Sequence, residues 1–209
     1  MTQFITIHPT HPQPRLIRGV AALLRDGAVA AYPTDSSYAL GCRLDDAKAV
    51  KRIRAIRGLD DRHHLTLVCR DLADVGHFAR LDNWQFRLVR QGTPGPFTFI
   101  LPATREVPRR LQHPRRSTIG VRVPKHAVAL ALLKELGAPI VSSTLMLPGD
   151  AGPIGDAATL RGRPVEIDVV IDGGAVAATP TTVIDLAEAP GTLIRLGGGD
   201  PARLGMAFD

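Results

Sequence analysis

Residues 28–41 of the chain read AVAAYPTDSSYALG and join an apolar run to a cluster of hydroxyl groups. The first five of these residues are apolar and end at Pro33, which predicts a buried strand. The Thr and Ser residues that follow lie at the carboxyl end of this strand, where open α/β sheets bind their ligands. A Ser- and Thr-rich turn that binds nothing is the alternative for this segment taken alone.

Strand and helix signals alternate on both sides of this stretch. From Pro14 to Arg25, apolar residues recur at helical spacing between an N-terminal proline and a glycine stop. Further helices are predicted from Asp45 or Asp46 to Arg57, after Asp71, from Asp82 to Arg90 and from His126 to Leu136. Strands are predicted at Phe4–Ile7, Ala28–Tyr32, Leu65–Cys69, Phe97–Leu101, Thr118–Val123, Ile140–Ser143, Val169–Asp172, Thr182–Leu186 and Thr192–Leu196. Because several strands follow one another without a helix between them, we predict one α/β domain over residues 1–209 with a mixed sheet.

The composition excludes several classes of protein. The chain has 209 residues, of which 44% are hydrophobic and 22% charged, as in folded globular proteins. No apolar run approaches the roughly 18 residues of a membrane helix, and the N-terminal residues lack the pattern of a secretion signal. Cys42 and Cys69 have neither disulfide-framework nor zinc-ribbon spacing. We therefore expect a cytoplasmic protein without a membrane partner.

The charge is concentrated in the middle of the chain. Residues 51–125 contain sixteen Lys and Arg but only six Asp and Glu, whereas the formal net charge of the whole chain is +6. Such a segment indicates a polyanionic partner, either nucleic acid or a nucleotide, and a solvated basic face is the alternative. Aromatic residues make up only 4% of the chain, which disfavours RNA binding by base stacking.

Four further blocks place polar side chains at the ends of predicted strands. They are Pro94–Leu101, Ser117–Pro124, Val141–Gly149 and Pro180–Leu186, and Arg195 follows the last of them. Arg122 lies inside an apolar strand, where a guanidinium needs a partner because an unpaired buried charge is costly. That partner is either a ligand carboxylate or phosphate, or a structural Asp. The histidines show no metal-ligand spacing, and we interpret His63 and His64 as loop residues.

The five blocks, in this order, resemble the YrdC/YciO family of threonylcarbamoyl-adenylate synthases and their relatives, most closely the YciO branch. The family motif PTDTxYGLG resembles Pro33–Gly41, PGPxTxIL resembles Pro94–Leu101, VAVRxP resembles Gly120–Pro124, STSANLSG resembles Ser142–Gly149, and STVVDL resembles Thr181–Leu186. The resemblance extends from about residue 16 to residue 195.

The resemblance implies a twisted mixed sheet with flanking helices and a concave basic face. It also implies a reaction, in which L-threonine, bicarbonate and ATP with Mg²⁺ give threonylcarbamoyl-AMP and pyrophosphate for the t6A modification of tRNA. Carried over by position, the residues that face L-threonine are Thr34, Arg122, Ser142 and Thr181, with Thr182 as the neighbouring alternative. Those that face the nucleotide are Arg57, Thr118, Thr144 and Arg195. No protein residue is assigned as a metal ligand or as a catalytic group.

The chain departs from the family pattern at two positions. The family's KxRP is Arg57-Gly58-Leu59-Asp60 here, and its SAN triplet is Thr144-Leu145-Met146. Neither Leu59 nor Met146 can donate a hydrogen bond to phosphate, so we expect slow adenylate formation unless Arg54, Arg57 or Arg62 compensates. Two alternatives remain: a non-catalytic module that binds double-stranded RNA or tRNA, and carbamoyl-adenylate chemistry on another substrate.

Overall fold

The computed structural model describes residues 2–60 and 63–205. Within them the chain forms five α-helices, which are α1 (Pro14–Arg25), α2 (Ala47–Arg57), α3 (Leu72–Phe78), α4 (Asn83–Gly92) and α5 (Ala127–Leu136). Single 3₁₀ turns occur at Arg109–Leu111, Ala157–Leu160 and Pro201–Leu204. No described helix combines the length and the apolar character that crossing a membrane requires.

Local sequence sets the helix ends. The side chain of Asp46 accepts hydrogen bonds from the backbone N–H groups of Lys48 and Ala49, and so caps α2. Asp82 and Gln85 form a reciprocal capping box at the start of α4. Gly58 ends α2 with a backbone φ of 64°, a value that residues with a side chain rarely adopt. These caps explain why sequence patterns located both ends of α2 and α4 to within two residues.

The described chain has ten strands: β1 (Gln3–Thr6), β2 (Ala30–Pro33), β3 (Tyr38–Arg43), β4 (Thr66–Val68), β5 (Phe97–Pro102), β6 (Thr118–Arg122), β7 (Ile140–Thr144), β8 (Val169–Asp172), β9 (Thr182–Asp185) and β10 (Thr192–Arg195). They form one sheet in the order β1-β8-β2-β3-β7-β4-β6-β5-β9-β10. Strand β8 pairs in parallel with β1 and β2, β4 with β6, and β5 with β9, whereas the other pairs are antiparallel. The predicted mixed sheet with flanking helices is therefore confirmed.

Strand β3 was not predicted. We predicted no strand between Tyr32 and the helix that starts at Asp45 or Asp46, but only residues 34–37 form a turn, and β3 returns antiparallel to β2. The hydroxyl groups at the start of this segment dominated its pattern. The strand itself is buried along almost its whole length, so it lacks the apolar–polar alternation of a half-exposed strand.

The two faces of the sheet are covered differently. Helices α2, α3 and α4 contribute to the main hydrophobic core on one face. On the other face, α1 and α5 pack on each other and cover the half of the sheet that includes β2, β3 and β8. The cluster that these two helices form on that face includes no residue of β5, β6 or β9. This part of the face is where the candidate site lies.

The last pair of strands carries an irregularity. The register between β9 and β10 shifts between Leu193 and Arg195, which leaves Ile194 as an extra residue in β10. The following run, Gly197 to Gly199, bends back over the start of β9. A Cβ atom on Gly197 would lie 2.2 Å from the carbonyl oxygen of Pro180, so only glycine fits this close approach.

Candidate functional site

A cavity of about 690 Å³ opens over the part of the sheet that includes β5, β6 and β9. Alternate residues of β4, β5, β6, β7 and β9 form its floor, because successive side chains of a strand point to opposite faces. Gly120 gives the floor its depth. A Cβ at this position would lie 3.1 Å from Thr66 Oγ1 and 3.3 Å from the carbonyl oxygen of Leu65, both tight contacts.

The cavity brings together seven of the eight side chains that the sequence assigned to ligands. They are Thr34, Arg57, Arg122, Ser142, Thr144, Thr181 and Arg195. The eighth, Thr118, is buried and does not line the cavity. Its hydroxyl group lies 3.1 Å from Nε2 of His64, and His64 lines the cavity in its place. Arg122 and Arg195 therefore face the same cavity from distant positions in the chain.

The Arg122 end of the cavity, formed by Thr34, Asp35, Ser36, Arg122 and Ser142, contains a buried ion pair. Nη2 of Arg122 donates to Oδ1 of Asp35 over 2.6 Å, and Nη1 donates to the hydroxyl oxygen of Ser36 over 2.9 Å. Oδ1 of Asp35 also accepts a bond from the backbone N–H of Lys125. The structural Asp that the sequence left open thus exists, and it faces a guanidinium that also lines the cavity.

Hydrogen-bonding capacity remains at this end. Oδ2 of Asp35, Nε of Arg122 and Nδ1 of His126 are buried and have no hydrogen-bond partner among the described residues. Burial lowers the pKa of His126, and the charge of Asp35 opposes that shift. Most buried polar atoms in proteins have a partner, so three such atoms around one ion pair mark this end as ready for a polar ligand or water.

Hydroxyl groups of the Arg122 end are held in fixed positions. The hydroxyl of Thr34 donates to the carbonyl oxygen of Ser37 over 2.7 Å and so shapes the turn between β2 and β3. Tyr32 donates to Ser142 Oγ over 2.9 Å, and Ser142 donates to the carbonyl oxygen of Leu40. Burial raises the pKa of Tyr32 to about 12, so this phenol stays a neutral donor. Sequence reasoning missed Tyr32; its signal was a phenol at the end of an apolar strand.

The Arg57–Arg195 side of the cavity, formed by Arg57, Ser143, Thr181 and Arg195, contrasts with this ion pair. Nε and Nη2 of Arg195 donate to the carbonyl oxygen of Thr181 over 3.1 and 3.0 Å. Nε of Arg57 donates to Ser143 Oγ over 3.3 Å, and Nη1 donates to the carbonyl oxygen of Met146. Neither arginine forms an ion pair with a described residue. Both guanidinium groups therefore line the cavity without a directly paired carboxylate among the described residues.

The pKa shifts of the basic groups on this side agree with the lack of a directly paired carboxylate. Burial lowers the pKa of Arg195, and burial also lowers that of Arg57, which the more distant Asp150 partly offsets. Burial lowers the pKa of His63, and the positive charges of Arg57, Arg54 and Arg195 lower it further. An anionic ligand would relieve all of these effects, because it would replace lost solvation with an opposite charge.

The choice between Thr181 and Thr182 has a geometric answer. Thr181 lines the cavity, and its hydroxyl lies 2.9 Å from that of Thr98. Thr182 is fully buried, donates to the carbonyl oxygen of Gly199 and accepts from the backbone N–H of Gly197. Its side chain therefore holds the glycine run in place and is turned away from the cavity.

The two departures from the family pattern lie in different surroundings. Met146 lines the cavity. Leu59 packs against the main core and does not line the cavity, so the expectation that it faces the ligand is corrected. Its position follows from Gly58, whose left-handed backbone turns the chain at the end of α2. Arg62, named as a compensating cation, lies outside the described residues.

Two histidines that we interpreted as loop residues also contribute to the cavity. His63 and His64 precede β4 and line the cavity. The ring of His64 stacks on that of His113 with 4.8 Å between their centroids. Burial, followed by the charge of His113, lowers the pKa of His64 to about 4, so its imidazole is neutral at pH 7. No group of three or more metal-ligating side chains occurs among residues 2–60 and 63–205.

The comparison with known proteins places this geometry in a family. The Sua5/YciO/YrdC family, described as telomere recombination, matches residues 22–197. YciO of Escherichia coli K12 is 47% identical over 201 residues, which are 96% of this chain and 98% of YciO. The crystal structure of E. coli YciO superimposes with a TM-score of 0.94 at 46% identity and covers 98% of this chain and 100% of that one.

Relatives with a named activity or ligand are more distant. A threonylcarbamoyl-AMP synthase of Chromobacterium violaceum is 39% identical over 137 residues, which are 65% of this chain and 70% of the synthase. Sua5 of Pyrococcus abyssi, solved in complex with L-threonine, superimposes with a TM-score of 0.84 at 29% identity. The match covers 95% of this chain and 58% of that Sua5 chain. On the family match and on the identity to YciO over nearly its whole length, the chain belongs to the Sua5/YciO/YrdC family.

Proposed function

We propose that the protein is an L-threonylcarbamoyl-adenylate synthase whose product serves the t6A modification of tRNA. One observation carries the proposal: a single cavity combines an ion-paired arginine, Arg122, with two arginines, Arg57 and Arg195, that form no ion pair with a described residue. The synthase of C. violaceum and the L-threonine complex of P. abyssi Sua5 supply the class of reaction and one substrate.

The Arg122 end would bind the amino acid. The guanidinium of Arg122 is a suitable donor for a carboxylate, and the hydroxyl groups of Thr34 and Ser142 lie at the same end of the cavity. Thr181 would complete the set from the neighbouring strand β9. Because the turn between β2 and β3 is already hydrogen-bonded, these groups would bind without first being ordered.

The Arg57–Arg195 side would bind the phosphates of ATP, with Thr144 and, through His64, Thr118 next to them. Two guanidinium groups that lack a counter-ion match the charge of a polyphosphate. The described cavity residues include no cluster of carboxylates. Mg²⁺ would therefore arrive with ATP and be held by phosphate oxygens and water, as is usual for this ion.

The chemistry requires an oriented pair of substrates. The amine nitrogen of threonine displaces water from bicarbonate to give a carbamate, and a carbamate oxygen then displaces pyrophosphate from the α-phosphorus of ATP. Holding the carbamate in line with the α-phosphate lowers the entropic part of the barrier. Arg57 and Arg195 would stabilise the charge that develops on the phosphoryl oxygens. Met146 adds no donor there, so we expect a slow enzyme.

Pyrophosphate release tests this proposal. The protein is assayed with Mg-ATP, bicarbonate and each amino acid in turn, next to the variants Arg195→Ala and Arg203→Ala. We expect release that depends on L-threonine and on bicarbonate, falls about 10²–10³-fold in Arg195→Ala and persists in Arg203→Ala, which removes an exposed arginine that does not line the cavity. Dependence on another amino acid would instead support carbamoyl-adenylate chemistry on another substrate. Pyrophosphate release that does not depend on any amino acid would refute both the threonine reaction and the reaction on another amino acid.

A second candidate function, binding of double-stranded RNA such as a tRNA stem, is favoured by the loop between β5 and β6. Arg105, Arg109 and Arg115 project from residues 103–117 and form no ion pair with a described residue. Val107 and Leu111 of the same loop are buried in the main core, so the loop is anchored. Exposed arginines on a fixed loop suit the phosphates of a duplex, and the scarcity of aromatic residues disfavours single strands.

Titration of duplex RNA at increasing salt tests this second function. Binding through n phosphates gives a slope of about −0.9n, or a somewhat smaller one, in a plot of log K against log salt. The triple variant of Arg105, Arg109 and Arg115 to Ala should reduce that slope by about three. The matched variant of Arg15, Arg18 and Arg203 to Ala, three exposed arginines elsewhere, should leave it nearly unchanged. A salt-independent affinity would refute RNA binding by this loop.

A further inference from the structure

We propose that Asp35 determines the specificity of the Arg122 end and makes it select a zwitterion, an α-amino acid, over a carboxylic acid without an amine. This inference rests on the proposed function in one respect, namely that a ligand carboxylate binds Arg122. It goes further because it assigns a role to a residue outside the ligand set that the sequence suggested. Asp35 acts through Arg122 and is therefore a positioning and specificity-determining residue.

The first step concerns the charge at this end. The side chains of Arg122 and Asp35 are only 8% and 14% exposed, and 2.6 Å separates Nη2 from Oδ1. The carboxylate of Asp35 therefore neutralises the guanidinium with little solvent between them. Without a ligand, the buried pair has no net charge.

The second step concerns a ligand that brings only a carboxylate. Its arrival at Arg122 would place two carboxylates on one guanidinium and leave one buried negative charge. Burial of an uncompensated charge is strongly unfavourable. A ligand that also carries an ammonium group restores neutrality, so the pair selects against simple acids. The selection does not require the ammonium group to touch Asp35.

The third step is that Asp35 has acceptor capacity to spare. Its Oδ1 atom accepts from Arg122 and from the backbone N–H of Lys125. Its Oδ2 atom is buried and has no partner among the described residues. That unused oxygen keeps the negative potential of this carboxylate high at the Arg122 end, which favours a cationic group nearby.

The Arg57–Arg195 side is the internal comparison for this argument. Its two guanidinium groups donate to neutral oxygens, and neither pairs with a carboxylate of the described chain as Arg122 does with Asp35. An anion that binds there reduces an excess of positive charge instead of creating an excess of negative charge. Arginine thus favours a zwitterion at the Arg122 end and an anion at the Arg57–Arg195 side, because only Arg122 is paired with the carboxylate of Asp35.

The experiment compares two ligands by calorimetry. They are L-threonine and 2,3-dihydroxybutanoate of the same stereochemistry, in which a hydroxyl replaces the amine. The wild-type protein should bind threonine at least tenfold more tightly than the hydroxy acid. In Asp35→Asn this ratio should fall at least tenfold, and Asp35→Glu, which retains the charge, should restore most of it. Asp45→Asn, which removes an exposed carboxylate paired with Arg43, should leave the ratio unchanged.

The outcomes separate this inference from the proposed function. If Asp35 had a purely structural role, Asp35→Asn would weaken the binding of both ligands equally and leave the ratio of their affinities constant. That result would overturn the inference. Equal affinity of the wild-type protein for the two ligands would overturn it even if Asp35→Asn failed to fold. If the wild-type protein binds another amino acid instead of threonine, the assignment of threonine fails, and the same ratio measured with that amino acid and its hydroxy analogue still tests Asp35.

Discussion

Arg122 and Arg195 line one cavity, but their guanidinium groups have opposite electrostatic surroundings. Arg122 shares its charge with a carboxylate 2.6 Å away, whereas Arg195 donates to the carbonyl and hydroxyl oxygens of Thr181. The first arrangement stabilises the ligand-free fold. The second leaves the positive charge of Arg195 without a described counter-ion until an anionic ligand binds. The comparison shows that the identity of a cavity arginine says little about its ligand unless its partners are known.

Removal of Arg122 is the strongest way to test the paired end. Arg122→Ala leaves Asp35 buried without its counter-ion, so we expect the free energy of unfolding to fall by about 3–5 kcal/mol. Arg43→Ala breaks an exposed Arg–Asp pair and should cost about 1 kcal/mol or less. Urea denaturation of both variants measures the difference. Similar losses of unfolding free energy in the two variants would mean that the Asp35–Arg122 pair stabilises the fold no more than an exposed pair does.

Removal of Arg195 should reverse this pattern. Arg195→Ala removes an exposed charge that has no acidic partner among the described residues, so we expect a change in stability of less than about 1 kcal/mol. Adenylate formation should fall by about 10²–10³-fold, the usual cost of one donor to a developing oxyanion. Pyrophosphate release and urea denaturation of the same sample test both statements. A large loss of stability with unchanged turnover would contradict them.

Met146 offers a test of the Arg57–Arg195 side of the cavity. Met146→Asn should raise the rate of pyrophosphate release by about tenfold, because a new donor next to Arg57 is worth roughly 1.5 kcal/mol or more when it bonds to phosphate. Met146→Leu has a similar volume and no donor, and should leave the rate unchanged.

The combined change of Leu59→Arg with Met146→Asn tests the placement of Leu59. Leu59 packs against the main core, so the arginine should cost about 1–3 kcal/mol of stability and add little rate. A thermal melt and a rate measurement on both variants separate the two effects. A faster rate in the double variant than in Met146→Asn would mean that position 59 reaches the ligand.

The smallest expected effect concerns acid pH. The folded chain holds His64 neutral with a pKa of about 4, whereas the unfolded chain binds a proton near the ordinary value of 6.5. The stability that neutral His64 contributes is therefore complete above about pH 6.5 and is lost as the pH falls towards 4. His64→Gln should show a shallower loss than the wild-type protein in denaturation curves between pH 7 and 4.5. The titratable and charged groups near His64 are His113, Asp185, Arg116 and His63. If stability fell equally with pH in the variant and the wild-type protein, His64 would not be held neutral in the folded chain.

Sequence reasoning located most of the fold and much of the site because both depend on local signals. Capping aspartates, glycine stops and hydroxyl groups after apolar runs are all readable from neighbouring residues. Strand β3 escaped because the hydroxyl cluster before it dominated the pattern of this segment and Gly41 interrupts its apolar run. The pairing of Asp35 with Arg122 escaped because 87 positions separate the two residues, and only the sheet brings them together. Leu59 was misplaced because its orientation depends on the backbone of Gly58.

The extra residue in β10 has a consequence for the solution behaviour of the protein. Strand β10 is the edge of a ten-stranded sheet, and a straight edge strand offers unpaired backbone groups to other molecules. The shift at Ile194 interrupts that edge one residue before Arg195. A chain that lacked this residue would present a flatter edge, whereas Arg195 would still lie opposite Val183 and keep its face of the sheet. One extra residue therefore makes this edge a poorer template for pairing with another strand, so an engineer should keep the length of β10 even where its side chains are changed.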